Sequence, residues 1–370
     1  MADDEDTTLV HRPAAAEAAA TTVEHLLLVH QPGQAVRQIR LGTAPLKVGR
    51  TPDNDVVLPL PEISRRHCVV QVEGQHAMLT DLGSTNGTYV EGKRLVAPVA
   101  LSDGAHVGLG SFTLVYRSGT PALLARAVAL EEEVQRASDY VQSLLPAPLL
   151  EGPLRAEWRF VPSASLGGDA FGYHSLADGR LAIYLLDVTG HGAGSALLAV
   201  SVLNVLRQAA LPNGVAWEDA GGVLATLNAM FPMEQQGGLC FSMWYGLYNP
   251  AQRRLDYASA GHHPAYLRLG NALAPLATRN MMLGAMPGLP FAGAAVSVAP
   301  GCRLYLFSDG AFEISRPDGS QQMLADFVPL LEAAPLPEVG EAERLLRAAR
   351  ALNGPGPFAD DVSVLVLDFT

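Results

Sequence analysis

The sequence predicts a multidomain protein: an all-β sandwich, a helical linker, and then an α/β domain. Three patterns carry that expectation. Between His25 and Arg117, short apolar runs alternate with turn residues at close spacing, which reads as many short strands of a sandwich. From Pro121 to Leu145 the apolar residues recur at heptad spacing. Beyond Pro146, strand-like apolar runs border Asp-containing turns, with one helix-length apolar segment, Ala193 to Leu206, among them.

The N-terminal runs are His25 to His30, Lys47 to Gly49, Val56 to Leu58, Cys68 to Val72, Ala77 to Thr80 and Phe112 to Tyr116. Turn residues part them, as in Pro52-Asp53-Asn54-Asp55 and Glu91-Gly92-Lys93, because these residue types accept the dihedrals of tight turns. Residues 1–24 are acidic, then Ala-rich, with no strand pattern, and a disordered tail is expected there. The opening Met1-Ala2-Asp3-Asp4-Glu5-Asp6 is the opposite of the basic start of a signal peptide.

The linker is expected over 119–148. Pro121 suits the first turn of a helix and Pro146 stops it. Leu123, Ala127, Leu130, Val134, Ala137, Val141 and Leu144 follow steps of 4, 3, 4, 3, 4 and 3. A stripe of about three heptads is the minimum for a coiled coil. The same stripe serves as the face of a helix lying on its own domain, and the residues alone leave both readings open.

Composition narrows the function. The 370 residues, 49% of them hydrophobic, leave room for two or three cores. The formal net charge is −12, from 37 acidic and 25 basic residues, with no Lys/Arg-rich run and no aromatic-basic stripe. Such a surface argues against duplex nucleic acid and anionic membranes as partners. Cys68, Cys240 and Cys302 are far apart and odd in number, as expected of reduced thiols in a cytoplasmic protein. Ala193 to Leu206 is broken by Ser201 and Asn204 and followed by Arg207. It is too short to span a bilayer and reads as a buried helix behind the Asp187 turn.

The chemistry is carried by four aspartates in separate signatures. They are Asp169 in Gly167-Gly168-Asp169, Asp187 in Asp187-Val188-Thr189-Gly190-His191-Gly192, Asp309 in Ser308-Asp309-Gly310, and Asp360 in Asp360-Asp361-Val362-Ser363. Leu181 to Leu186 leads into Asp187, Leu304 to Phe307 leads into the Asp309 turn, and Asp360 precedes the run Val362 to Phe369. Carboxylates at strand ends can converge on one rim of a sheet. An all-carboxylate set suits hard ions such as Mg²⁺ or Mn²⁺ rather than Zn²⁺.

The order of these blocks, with Leu144-Leu145-Pro146 before them, Ala260-Gly261-His262 between, and Glu313 after Asp309, resembles the SpoIIE-type branch of the metal-dependent protein phosphatases, the type 2C class. The resemblance covers about Pro146 to Thr370 and places a phosphatase domain at 149–370. It implies an α/β fold of two central antiparallel sheets flanked by helices, with two Mn²⁺ or Mg²⁺ ions at the edge of the β-sandwich. By the same motifs, Asp187 bridges both ions, the Val188 carbonyl completes one shell, and Asp169, Asp309 and Asp360 supply the other carboxylates. Asp187, Asp169 and Asp309 are the expected catalytic residues. Asp361 is expected to fix its loop, His191 and His262 to be structural or to support the metal ligands, and His263 has no assigned role. Gly167-Gly168-Asp169-Ala170-Phe171 also resembles the signature of diguanylate cyclases, but Ala170 replaces a carboxylate that signature requires.

The N-terminal blocks Gly49-Arg50, Ser64-Arg65-Arg66-His67 and Asp81-Leu82-Gly83-Ser84-Thr85-Asn86-Gly87-Thr88 closely resemble a forkhead-associated (FHA) domain, expected over 25–118. The resemblance implies phosphothreonine binding at the loop tips. There Arg50 and Arg65 meet phosphate charge, Ser64 and Thr85 donate hydroxyl hydrogen bonds, and Asn86 holds the peptide backbone. Asp6-Thr7-Thr8 resembles the kinase-targeted tails of some small bacterial FHA proteins, which would make a self-blocking switch.

Together these blocks imply a cytoplasmic, bacterial signalling phosphatase acting on phosphoserine or phosphothreonine in a partner protein. Anti-sigma-factor antagonists or a Ser/Thr kinase system are the expected substrate classes, and the FHA domain adds a phosphothreonine ligand. The resemblance also tips the linker toward a homodimer. The competing class is a non-catalytic phosphothreonine-binding adaptor, against which the intact aspartates argue. Three departures from the family pattern stand out. Gly172 replaces an Asp after Ala170-Phe171, Ser242 replaces a Thr, and Pro317 to Asp326 lacks a Phe-Gly step. No arginine can be assigned as a phosphate clamp.

Overall fold

The computed structural model describes residues 23–31, 34–163, 166–190, 192–208, 219–316, 320–334, 338–354 and 358–370. Thr7, Thr8 and His191 lie outside them. The chain divides into two compact units between Glu133 and Val134.

The first unit holds β1 (Glu24–His30), β2 (Arg37–Leu41), β3 (Leu46–Gly49), β4 (Val56–Val57), β5 (Cys68–Glu73), β6 (His76–Asp81), β7 (Tyr89–Val90), β8 (Lys93–Arg94), β9 (Val99–Leu101), β10 (His106–Leu109) and β11 (Phe112–Gly119). They form two sheets, in the orders β2-β1-β11-β10-β7-β8 and β4-β3-β5-β6-β9. Leu27, Val29, Leu114 and Tyr116 from one sheet meet Val48, Val70 and Leu79 from the other in a single core. The polar strand β2 and the two-residue strands β7 and β8 lack the apolar runs that mark the others, and β9 and β10 are only three and four residues long. The β7–β8 turn places Glu91 at φ 49° and Gly92 at φ 73°, the left-handed pair that a tight two-residue hairpin requires.

Strand β1 is apolar throughout because both its faces are covered. Leu27 and Val29 enter the sandwich, while Leu26 and Leu28 pack with Val115 beneath Leu124 and Val128 of helix α1 (Pro121–Ser143). The helix closes with tight turns from Leu144 N–H to the Val141 carbonyl and from Leu145 N–H to the Gln142 carbonyl. Its packing face here is therefore Leu124 and Val128, not the heptad stripe. Leu123 and Leu130 of the stripe are 59% and 58% exposed.

The second unit contains β12 (Leu154–Val161), β13 (Asp169–Ser175), β14 (Leu181–Val188), α2 (Ala193–Arg207), α3 (Ala220–Met230), β15 (Phe241–Asn249), β16 (Arg254–Ala260), β17 (Ala265–Leu269), β18 (Ala272–Leu276), β19 (Ala294–Ser297), β20 (Arg303–Phe307), β21 (Ile314–Ser315), β22 (Gln321–Gln322), α4 (Leu324–Glu332), α5 (Glu341–Asn353) and β23 (Val362–Phe369). Two five-stranded sheets, β13-β14-β15-β16-β19 and β12-β23-β20-β17-β18, are antiparallel throughout.

The layers are helix, sheet, sheet, helix, and β14 shows why its sequence is a continuous apolar run. Leu181, Ile183 and Leu185 face the other sheet's Leu304, Leu306 and Leu365. Ala182, Tyr184 and Leu186 face Leu198, Val202, Val223 and Leu227 on α2 and α3. On the far side, Phe327, Leu331, Leu345 and Ala349 of α4 and α5 cover Tyr305, Phe307, Val364 and Val366. With both faces buried, strand alternation disappears from the sequence.

Helix α5 is fixed by a buried ionic cluster. Arg344 donates to both Glu341 carboxylate oxygens (2.7 and 2.8 Å) and to the Leu330 carbonyl (2.8 Å). The Tyr305 hydroxyl donates to Glu341 (3.0 Å). Glu157 accepts from the Glu341 N–H (2.6 Å), capping the helix start. No helix among the described residues is long and apolar enough to cross a membrane.

Candidate functional sites

The sheets bring acidic residues to one rim of the second unit. Asp169 and Asp187 are register partners across β13 and β14, and Asp187 is in turn opposite Ser242 on β15. The other sheet supplies the turn after β20 and the turn before β23. Gly310 is needed there, because a Cβ on it would lie 2.3 Å from the Asp361 carbonyl oxygen. Hence the Asp309-Gly310 turn abuts Asp360-Asp361. Gly168 plays the matching part in the first sheet, where a Cβ would lie 2.9 Å from the Val188 carbonyl oxygen.

The acids form one electrostatic cluster. Burial pushes the Asp187 carboxyl up to about 7, helped by the charges of Asp309, Asp360, Asp361 and Glu313. Burial first, then Asp360 and Glu313, raises Asp309 to about 6. Asp169, 3% exposed, is raised by burial and by its neighbours Asp187 and Asp361. Asp360 is exposed, and its Oδ1 accepts the Asp361 N–H at 2.8 Å.

Asp361 is buried and holds the loop before β13. Its Oδ1 accepts from the Ser163 N–H (2.7 Å) and hydroxyl (3.0 Å), and its Oδ2 accepts from the Gly168 N–H (2.6 Å). His262 is buried, and its Nδ1 pairs with the His263 carbonyl oxygen (2.8 Å). Burial pushes its ring down to about 4, so it is neutral at pH 7. His263 stacks on Phe307 and meets Phe312 edge-on, bracketing the Asp309 turn.

Carboxylates crowded in low dielectric fit a hard divalent cation, which would relieve their repulsion. Among the described residues, no three such side chains already close a coordination shell. The donor set fits the group, while the closed shell is not preformed.

In the first unit, Arg50, Ser64, Arg65, Thr85 and Asn86 line one open cleft of about 860 Å³. Ser64 Oγ accepts the Thr85 N–H at 2.9 Å and donates to the Thr85 hydroxyl at 3.3 Å. Asn86 Nδ2 donates to the Glu62 carbonyl (2.8 Å), which fixes the amide plane. His67, fully buried, accepts the Ser64 N–H (3.1 Å) and reaches the Gly87 carbonyl oxygen (3.1 Å), tying two loops together. Arg66 pairs with Asp53 at 3.2 Å. The exposed guanidinium groups of Arg50 and Arg65 have no carboxylate partner among the described residues. Cations held open beside hydroxyl donors form an oxyanion-binding surface.

The family described as Stage II sporulation protein E (SpoIIE) matches residues 177–370, more than half of the chain. The chain belongs to the SpoIIE family. The FHA domain family matches residues 46–110 of the first unit. The glycogen accumulation regulator GarA of Mycolicibacterium smegmatis is 36% identical over 115 residues, covering 29% of this chain and 72% of GarA. The phosphoserine phosphatase RsbP of Bacillus subtilis (strain 168) is 26% identical over 185 residues, covering 50% of this chain and 46% of RsbP. The chain thus spans less than half the length of RsbP. The SiaA-PP2C domain of Pseudomonas aeruginosa superposes with a TM-score of 0.57 at 22% identity, covering 66% of this chain and 99% of that domain, and so shares its fold.

Within this SpoIIE-family chain, Asp169, Asp187, Val188, Asp309 and Asp360 occupy one rim, and the five cleft residues occupy one cleft. The motif reading gave less weight to Asp361, though three N–H or O–H donors converge on it, and none to Ser363 and His263. A serine within the apolar run Val362 to Leu367 was the available signal for Ser363.

Proposed function

We propose that this chain is a cytoplasmic signalling phosphatase that hydrolyses phosphoserine or phosphothreonine in a partner protein. Its FHA domain recognises phosphothreonine. In this reading the FHA domain spans 25–118, the helical linker 119–148 and the phosphatase domain 149–370. The observation that carries it is the meeting of Asp169 and Asp187 from one sheet with Asp309 and Asp360 from the other. These four carboxylates and the Val188 carbonyl would hold two Mn²⁺ or Mg²⁺ ions. When bound, such a pair lowers the pKa of water and stabilises charge on phosphoryl oxygens.

The chain's own contribution is positional. Asp187 ends a strand packed on both faces, and Asp309 follows another, so neither depends on a loose loop. RsbP, a phosphoserine phosphatase by name, supports the substrate class. An anti-sigma-factor antagonist or a component of a Ser/Thr kinase system fits it. Release of phosphate from a phosphoserine protein only when Mn²⁺ or Mg²⁺ is supplied tests the catalytic half.

The binding half rests on Arg50. Arg50→Ala removes charge-assisted hydrogen bonds worth about 1.5–3 kcal/mol, or roughly 10–100-fold in affinity. Fluorescence anisotropy with a phosphothreonine peptide should show that loss, and unchanged affinity would refute the assignment. The exposed heptad residues Leu123 and Leu130 support a homodimer through α1. In sedimentation the wild type should be a dimer and Leu130→Lys a monomer, and a monomeric wild type would contradict it.

A further inference from the structure

We infer that Ser363 and Asp361 are positioning residues for Asp169, acting where the two sheets of the phosphatase domain meet. The inference rests on the metal-centre reading of the rim and adds to it what sets one ligand's orientation.

Asp169 begins β13 in one sheet, and Ser363 lies on β23 in the other. The Ser363 hydroxyl donates to Asp169 Oδ2 at 2.7 Å, a direct hydrogen bond between the sheets. Ser363 is itself held. Its N–H donates to the Ser308 hydroxyl oxygen (2.8 Å), and its carbonyl accepts the Ser308 N–H (3.0 Å). The Ser308 hydroxyl then donates to the Asp361 carbonyl oxygen (2.9 Å). Ser308, which precedes Asp309, and Ser363 are both fully buried.

A hydroxyl at such a position is costly unless bonded, and Leu365 and Leu367, on the same face of the strand, show that this face accepts apolar side chains. Packing alone gives no reason for a serine. The bond it makes does, because it fixes the orientation of the Asp169 carboxylate. This is how supporting hydrogen bonds orient carboxylate ligands in metal sites.

Asp361 fixes the other end of the same residue. Oδ1 accepts two donors from Ser163, and Oδ2 accepts the Gly168 N–H, one residue before Asp169. A Cβ on Gly167 would lie 2.5 Å from Oδ2, so the loop is drawn close against the carboxylate. Both oxygens face N–H donors. Only a carboxylate presents two acceptor oxygens, whereas the amide of an asparagine would point its NH₂ at one of those N–H groups. Asp361 is therefore not interchangeable with Asn, although the two have nearly the same volume.

The test is calorimetric titration of the full-length protein with Mn²⁺, alongside thermal melts of the metal-free protein. Ser363→Ala should weaken Mn²⁺ binding by about 10–100-fold, the usual effect of losing such a supporting hydrogen bond, with the metal-free protein still melting cooperatively at a modestly lower temperature. Ser363→Thr, which keeps the hydroxyl, should bind Mn²⁺ like the wild type. Asp361→Asn should weaken binding as Ser363→Ala does. Wild-type Mn²⁺ affinity in Ser363→Ala would overturn the inference. So would equal losses in Ser363→Ala and Ser363→Thr, which would make strand packing the cause. Asp187→Ala separates this from failure of the underlying reading. If that variant binds Mn²⁺ as well as the wild type, the rim is not the metal centre and both fall together.

Discussion

Asp187→Asn should abolish phosphatase turnover and at the same time make the metal-free protein more stable. Asp187 lies opposite Asp169 and within the field of Asp309, Asp360, Asp361 and Glu313. If Asp187 helps hold two ions as proposed, removing its carboxylate should forfeit several kcal/mol of transition-state stabilisation, about 10³-fold or more in kcat/KM. The stability change has the opposite sign because the buried like charge is gone. A carboxyl whose folded pKa is raised to about 7 from 3.8 is protonated more readily in the folded state. It favours folding below its unfolded pKa, and that contribution is lost as pH rises through about 7. The gain in Asp187→Asn should therefore be largest above pH 7, on the order of 1 kcal/mol or about 2–4 °C in melting temperature. It should shrink toward pH 5. A variant less stable than the wild type at pH 8 without metal would show that Asp187 is a structural residue.

Arg344→Ala should have the largest effect on stability. Glu341 is 4% exposed and holds Arg344 through two short hydrogen bonds. Burial pushes the Glu341 carboxyl upward, but the bonds from Arg344 and Tyr305 outweigh it and hold the pKa below the usual glutamate range. Arg303, 3.8 Å away, engages Asp368 more closely at 2.6 Å and is a poor replacement. Truncating Arg344 leaves a buried charge underpaired and frees the Leu330 carbonyl at the end of α4. The expected loss is about 3–5 kcal/mol, read by denaturant unfolding of the phosphatase domain. The double variant Glu341→Leu with Arg344→Met should recover most of it, because an apolar pair of similar volume carries no desolvation penalty. If the double variant is as unstable as Arg344→Ala, geometry at α5 rather than charge pairing is the cause.

Much of this architecture was legible in the residues, for identifiable reasons. Asp187 and Asp309 could be placed because each closes a strand apolar enough to be recognised, and a strand buried on both faces needs no alternation. Helix α2 could be placed because Ala193 to Leu206 has helix length and ends at a charged residue. Strands β2 and β7 to β10 could not. Arg37–Leu41 is polar and at a sheet edge, and β7 and β8 are two residues each, so only the Glu91-Gly92 turn marked them. The heptad stripe of α1 was visible, but sequence spacing cannot say which face meets the protein. Leu124 and Val128 pack under β1, beside the stripe rather than on it.

The candidate site could be read as a set of motifs but not as a network. Nothing local links Asp361 to Ser163 and Gly168, nearly two hundred residues earlier, or Ser363 to Asp169. Those contacts exist only because β23 and β13 lie in sheets packed face to face. Likewise, the fixed amide of Asn86 depends on the Glu62 carbonyl, and Glu62 is itself held by Ser111.

The central claim is that the carboxylates of two sheets make one metal-dependent hydrolytic centre. The most direct test is phosphate release from a phosphoserine protein mixture by the full-length chain, with Mn²⁺, with Mn²⁺ plus chelator, and with Asp309→Ala. The claim predicts release with Mn²⁺ alone, stopped by the chelator and absent in Asp309→Ala. Release that survives chelation, or that Asp309→Ala performs as fast as the wild type, would contradict it.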